Sequence, residues 1–149
     1  VSSSFEKINV QLSGDELREL QAMVDKVHVH SAVTEYAVNL ARATREPETV
    51  KLDKLKKYIQ FGASPRASVN LILGAKALAV VRGREYVLPE DVRDLAPEVL
   101  RHRVILSYEA LADNIALEDT VQQLIAAVQT PRIHIGDPHR DIRQSANPA

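Results

Sequence analysis

The stretch Gly62-Ala63-Ser64-Pro65-Arg66-Ala67, with the apolar run that follows it as far as Val81, decides the fold. Serine is a favoured helix cap, and proline in the next place loses nothing, because an N–H there would lack a partner anyway. Ser64-Pro65 therefore predicts a helix start, the helix running from Pro65 to about Arg82. Gly83 predicts its left-handed stop. Val69, Leu71, Ile72, Leu73, Leu78 and Val81, with the alanines among them, leave no wide polar stripe. A helix that is apolar nearly all round belongs at the centre of a bundle, with the other helices packed on it.

Arg66 is out of place in such a helix. A cation in the first turn faces the positive end of the helix dipole and is mildly disfavoured there. Free first-turn N–H groups beside a guanidinium make a site for an anion, phosphate above all. The plainer reading is a solvated arginine on a helix shoulder, and the residues alone leave both open.

On either side of this helix the periodicity predicts more helices. Ser13 followed by Glu16 has capping-box spacing, so a first helix is expected over about Gly14 to Lys26, with Leu17, Leu20 and Val24 on its inner face. Val27 to His30 then joins it to a second helix capped by Ser31. There Val33, Tyr36, Ala37, Leu40 and Ala41 share a face, and the helix should end by Glu46, before Pro47. Glu48 to Gln60 reads as a charged connection with Lys51, Lys54, Lys56 and Lys57; its positive potential suits a phosphate or an acidic partner, and a plain solvated loop explains it equally well. Pro89 opens a further helix with Glu90 and Asp91 in its first turn, which Pro97 is expected to break or kink near Leu95 or Ala96. Val104 to Asn114 is ambiguous. A last helix over Leu117 to Gln129 turns Val121, Leu124, Ile125 and Val128 inward. The expected organisation is an irregular arm over residues 1–12, an all-α small helical bundle around a central buried helix over 13–130, and a flexible tail over 131–149.

Composition agrees with a helical bundle. With 149 residues, 45% hydrophobic and 26% charged, the chain suits one domain, and only 4% aromatic residues favours helices packed through small side chains. The net charge is −1, so no global attraction to nucleic acid or an anionic membrane is expected. Absent cysteine excludes disulfides and thiol chemistry. His28 and His30 alternate in an extended segment, but two histidines without a third ligand read as linker residues, and no metal site is expected. His134 and His139 read as tail residues. No charged-then-apolar leader and no uncharged apolar run of about 18 residues is present, which makes the cytoplasm the expected location. The chain begins at Val1 and its only methionine is Met23, so we expect a piece of a longer protein.

The sequence lacks a GxxxxGK[ST] phosphate cradle and a strand ending in an acidic pair, so this piece is not expected to hydrolyse ATP alone. Nor does it carry a G-x-S-x-G or H-E-x-x-H signature.

Gly62 to Ala67 resembles the GASPRA motif of the MoxR-type AAA+ ATPases. The resemblance extends over roughly Ser13 to Val128, through Val27-His28-Val29, Ala43-Thr44-Arg45-Glu46 and the run Arg82-Gly83-Arg84-Glu85-Tyr86-Val87-Leu88-Pro89-Glu90-Asp91-Val92. It implies the helical C-terminal lid of an AAA+ module whose large nucleotide-binding domain lies upstream of Val1. By its match to the motif, Arg66 would be the sensor 2 arginine, a catalytic residue of the full-length ATPase, with Ser64, Pro65 and Arg66 next to the nucleotide. The resemblance further implies ATP and Mg2+ as cofactors of the full-length protein. It implies as partners the protein's own nucleotide-binding domain, neighbouring subunits of a ring and an unnamed client, in chaperone-like remodelling. A second reading is a helical interaction or DNA-binding module, because Tyr86 to Val92 also resembles the end of a histone fold. A third is a regulatory domain that senses a phosphorylated ligand through Arg66.

Overall fold

The computed structural model describes residues 11–133, so residues 1–10 of the expected 1–12 arm and residues 134–149 of the expected 131–149 tail lie outside the described residues. Six helices carry the architecture: α1 (Gly14–Lys26), α2 (Ser31–Ala43), α3 (Arg66–Val81), α4 (Pro89–Leu100), α5 (Tyr108–Ala112) and α6 (Leu117–Ala127). Two 3-10 turns, Pro47–Val50 and Asp53–Lys57, and a short strand β1 (Ile59–Phe61) link α2 to α3. β1 pairs antiparallel with β2 (Ile105–Leu106), which lies between α4 and α5. The class is all-α, as composition and periodicity predict.

The central helix is α3. Ala67, Leu71, Ala75 and Ala79 recur every fourth residue and are fully buried, forming one line along the helix. Three of the four are alanine, so α4, α2 and α1 approach the α3 backbone closely. At Gly74 even a methyl group would sit 3.1 Å from Leu95 Cδ1 on α4. Gly83 adopts the left-handed conformation (φ +69°), its N–H donating to Val80 O at 2.9 Å and that of Arg84 to Ala79 O at 2.8 Å. This is a Schellman stop, and it turns the chain into the segment before α4. Val87 N–H donates to His28 O and His28 N–H to Glu85 O, so the connections before α2 and before α4 form a single parallel bridge.

At several points in the fold the structure departs from the local reading. The opposite side of α3 is not enclosed: Val69, Leu73 and Val81 are 56%, 54% and 82% exposed, because α1, α2 and α4 cover only part of the circumference. The α1 face is likewise open. Its capping box forms as expected, Glu16 N–H to Ser13 Oγ at 3.2 Å and Ser13 N–H to Glu16 Oε2 at 2.7 Å, yet Leu17 and Leu20 stay exposed and no residue of α1 is buried. α2 is capped by His30, not Ser31, since His30 Nδ1 accepts from Ala32 N–H at 3.1 Å and leaves Ser31 as the first helical residue. α4 passes unbroken through Pro97, since Val92, Ala96 and Leu100 anchor its turns in the core on both sides of the missing backbone donor. The ambiguous stretch from Val104 divides into β2 and α5.

A buried carboxylate locks α3 to α4. Asp91 has no exposed surface, and it accepts from Arg84 Nη1 (2.8 Å) and Nη2 (2.6 Å), Arg82 Nη1 (2.7 Å) and the Leu88 N–H (2.8 Å). The last contact caps the first turn of α4, where a negative charge is favoured. Burial by itself would raise the carboxyl, but the Arg84, Leu88 and Arg82 hydrogen bonds outweigh it and hold Asp91 below the ordinary aspartate value.

Candidate functional site

Arg66 opens α3 on the protein surface. Among the described residues its side chain has no hydrogen bond or ion pair, in a molecule where Arg42, Arg82, Arg84 and Arg101 each hold a carboxylate. Ser64 and Pro65 beside it are also exposed. Pro65 already has helical angles (φ −55°, ψ −24°), so the chain enters the helix at the proline. The first turn closes tightly, Ala67 N–H donating to Ser64 O at 2.9 Å and Ser68 N–H to Pro65 O at 3.1 Å. Those backbone carbonyls do the work expected of the Ser64 hydroxyl, which caps nothing, while Ser68 Oγ donates to Pro65 O at 2.7 Å. The Arg66 N–H finds no acceptor among the described residues. An unpaired amide and an unpaired guanidinium thus stand together at the positive end of a 16-residue helix.

Behind this surface the turn is gripped by the end of α2. Thr44 is fully buried; its hydroxyl donates to Ala41 O at 2.7 Å and accepts the Ala63 N–H at 2.8 Å. Arg45 Nη1 donates to Ala63 O at 2.5 Å. Both polar groups of the Ala63 backbone are therefore held by neighbouring side chains 18 and 19 positions earlier. Gly62 is what lets the two segments meet. A Cβ there would lie 2.4 Å from Thr44 O, closer than any side chain tolerates. Sequence reading marks Thr44 and Arg45 only as part of a family match and gives them no task; the glycine two places before Ser64 is the available signal of close backbone approach.

The lysine-rich connection does not converge on Arg66 as one patch. Lys56 pairs with Glu48, and Lys57 lies 3.2 Å from Asp113 and over the Tyr58 ring at 4.3 Å. Tyr58 Oη also donates to Asp113, at 2.8 Å, tying the second 3-10 turn to the end of α5. Among the described residues no group of three or more His, Asp or Glu is placed to hold a metal ion, and no helix is long and apolar enough to cross a membrane.

Similarity to known proteins points the same way. Residues 54–125 match the AAA lid domain family. Chaperone MoxR1 of Mycobacterium tuberculosis is 43% identical over 123 residues, covering 83% of this chain and 33% of that protein. Protein MoxR of Paracoccus denitrificans is 37% identical over 84 residues, 54% of this chain and 25% of that one. A crystal structure of a candidate ATPase from Cytophaga hutchinsonii superposes with a TM-score of 0.76 at 36% identity, over 79% of this chain and 36% of that chain. The chain thus spans about a third of the length of the MoxR1 relative and of the solved structure. The helical bundle built on α3, the Gly62–Ala67 turn at its head and these relatives agree, and the chain is a helical lid domain of the MoxR-type AAA+ family.

Proposed function

We propose that this lid closes over ATP held by a larger nucleotide-binding domain of the same protein, and that Arg66 acts as its sensor 2 residue by contacting the γ-phosphate. The observation that carries this reading is the state of Arg66: exposed, without a partner among the described residues, and seated where the helix dipole repels a cation. An external anion removes that conflict. A guanidinium fork matches phosphate oxygens in pairs, and the free Arg66 N–H adds a donor from the helix start. Ser64 and Pro65 border the same opening and line the approach of the nucleotide. Among the described residues no carboxylate cluster is placed for a divalent cation, and we assign Mg2+ to the phosphates on the larger domain.

Two open apolar surfaces support a covering partner. Val69, Leu73 and Val81 run down α3 from Arg66, and Leu17, Leu20 and Met23 stand out from α1. Faces of this kind are favoured for contact with another domain. We assign them to the nucleotide-binding domain and to neighbouring subunits of a ring. Loss of the γ-phosphate on hydrolysis removes one contact of Arg66 and frees the lid to rotate, which converts chemistry into motion for chaperone-like remodelling of a client protein in the cytoplasm.

The test is Arg66→Ala in the full-length protein. ATP hydrolysis is expected to fall about 10- to 1,000-fold, the range for loss of one charge-stabilising contact, with the thermal unfolding of the lid unchanged. An unaltered rate removes Arg66 from the reaction.

A further inference from the structure

We infer that Thr44 and Arg45 at the end of α2 are positioning residues for Arg66, an inference that rests on the reading of Arg66 as the phosphate-contacting group. The Gly62–Ala63 segment has no backbone hydrogen bond of its own among the described residues. What holds it is the Thr44 hydroxyl on the Ala63 N–H, the Arg45 guanidinium on the Ala63 carbonyl, and the close seat of Gly62 against Thr44. From Ala63 the path to Arg66 is short and stiff. Ala63 is fully buried, Pro65 has its φ fixed by its ring, and Ser64 and Pro65 both accept first-turn hydrogen bonds. A shift of Ala63 is therefore passed to the Cα of Arg66 with little damping. The arrangement welds the head of α3 to α2, so Arg66 moves only when the whole lid moves. A sensing arginine requires this, because a contact made by a loose loop would not transmit the loss of a phosphate to the body behind it.

Thr44 and Arg45 have different parts. Thr44 is sealed in the core and bridges two backbone groups, Ala41 O and Ala63 N–H, so it fixes the depth of the turn. Arg45 is largely exposed and holds the carbonyl of the same residue from outside, so it fixes the turn's rotation at little cost to the core. The contact it makes on Ala63 uses a single nitrogen, which a lysine ammonium also supplies.

The experiment is a double-mutant cycle on ATP hydrolysis by the full-length protein, with Arg45→Ala, Arg66→Ala and the pair. Acting through Arg66, Arg45→Ala alone is expected to lower the rate about 10-fold, yet to lower it by less than about 2-fold once Arg66 is alanine. Arg45→Lys should recover much of the rate. Peptide-resolved hydrogen exchange should show faster exchange over residues 62–67 in Arg45→Ala, with the exchange of α6 unchanged. Thr44→Val, which keeps shape but loses both hydrogen bonds, should speed exchange over the same residues. Losses that multiply in the double variant overturn the positioning role while leaving Arg66 in place, as does a full rate in Arg45→Ala. A full rate in Arg66→Ala overturns the sensor reading and this inference together.

Discussion

Arg84 grips Asp91 with both ends of its guanidinium, Nη1 to Oδ2 at 2.8 Å and Nη2 to Oδ1 at 2.6 Å, across the turn that joins α3 to α4. The carboxylate is fully buried whereas the Arg84 side chain is 18% exposed, so the two partners respond unequally to removal. Asp91→Ala leaves two guanidiniums facing each other and the Leu88 N–H uncapped. The expected loss is about 3 kcal/mol, the low end for a broken buried pair because both arginines keep access to water. Chemical denaturation of wild type and variant checks it.

The same carboxylate predicts an acid limb. The folded protein holds Asp91 below its ordinary value, so the stability it contributes is present above the unfolded aspartate value of about 4 and is lost as pH falls through the lower folded value. The melting temperature should decline below about pH 4 in the wild type, and less steeply in Asp91→Asn, which starts lower at neutral pH. Equal slopes in the two proteins would place the acid sensitivity elsewhere.

Leu71 and Leu73 lie two residues apart on α3 and face opposite ways, one without exposed surface and the other 54% exposed. Leu71→Ala should cost the isolated lid about 2–5 kcal/mol through the cavity it leaves, and Leu73→Ala less than about 1 kcal/mol. In the full-length protein Leu73→Ala should instead weaken lid closure, read as slower ATP hydrolysis at unchanged thermal stability of the isolated lid.

Gly62→Ala tests the contact behind the site. Its Cβ would meet the Thr44 carbonyl, a backbone atom with no room to swing aside. The variant should lose about 1–3 kcal/mol of stability, and its hydrolysis rate should fall with that of Arg45→Ala. Gly14→Ala, a position with nothing within 4 Å of the added methyl, is the matched control and should leave both unchanged.

The helices were legible because their period and punctuation coincide: Ser13 with Glu16, Pro89 with Asp91, and Gly83 each mark an end that the structure keeps. The exposed sides of α1 and α3 were not. A helix whose face is meant for another domain has the same apolar pattern as one meant for its own core, and Leu73 cannot be told from Leu71 by hydropathy. Leu78 shows the same limit, being only partly buried on a helix where every leucine looks alike. Pro97 does not end α4 for a different reason, since the burial of Ala96 and Leu100 on either side offsets the lost backbone bond. At the candidate site the motif singled out Arg66, which stands exposed at the head of α3. The contacts of Arg45 and Thr44 with Ala63 span 18 and 19 positions, which no local pattern encodes.

The central claim is that Arg66 answers to the last phosphate of a nucleotide. Hydrogen exchange of the full-length protein over residues 64–69, compared between a non-hydrolysable ATP analogue and ADP, measures it most directly. We expect slower exchange with the ATP analogue than with ADP, and no difference between the two in Arg66→Ala. Equal exchange in the wild type with either nucleotide would contradict the claim.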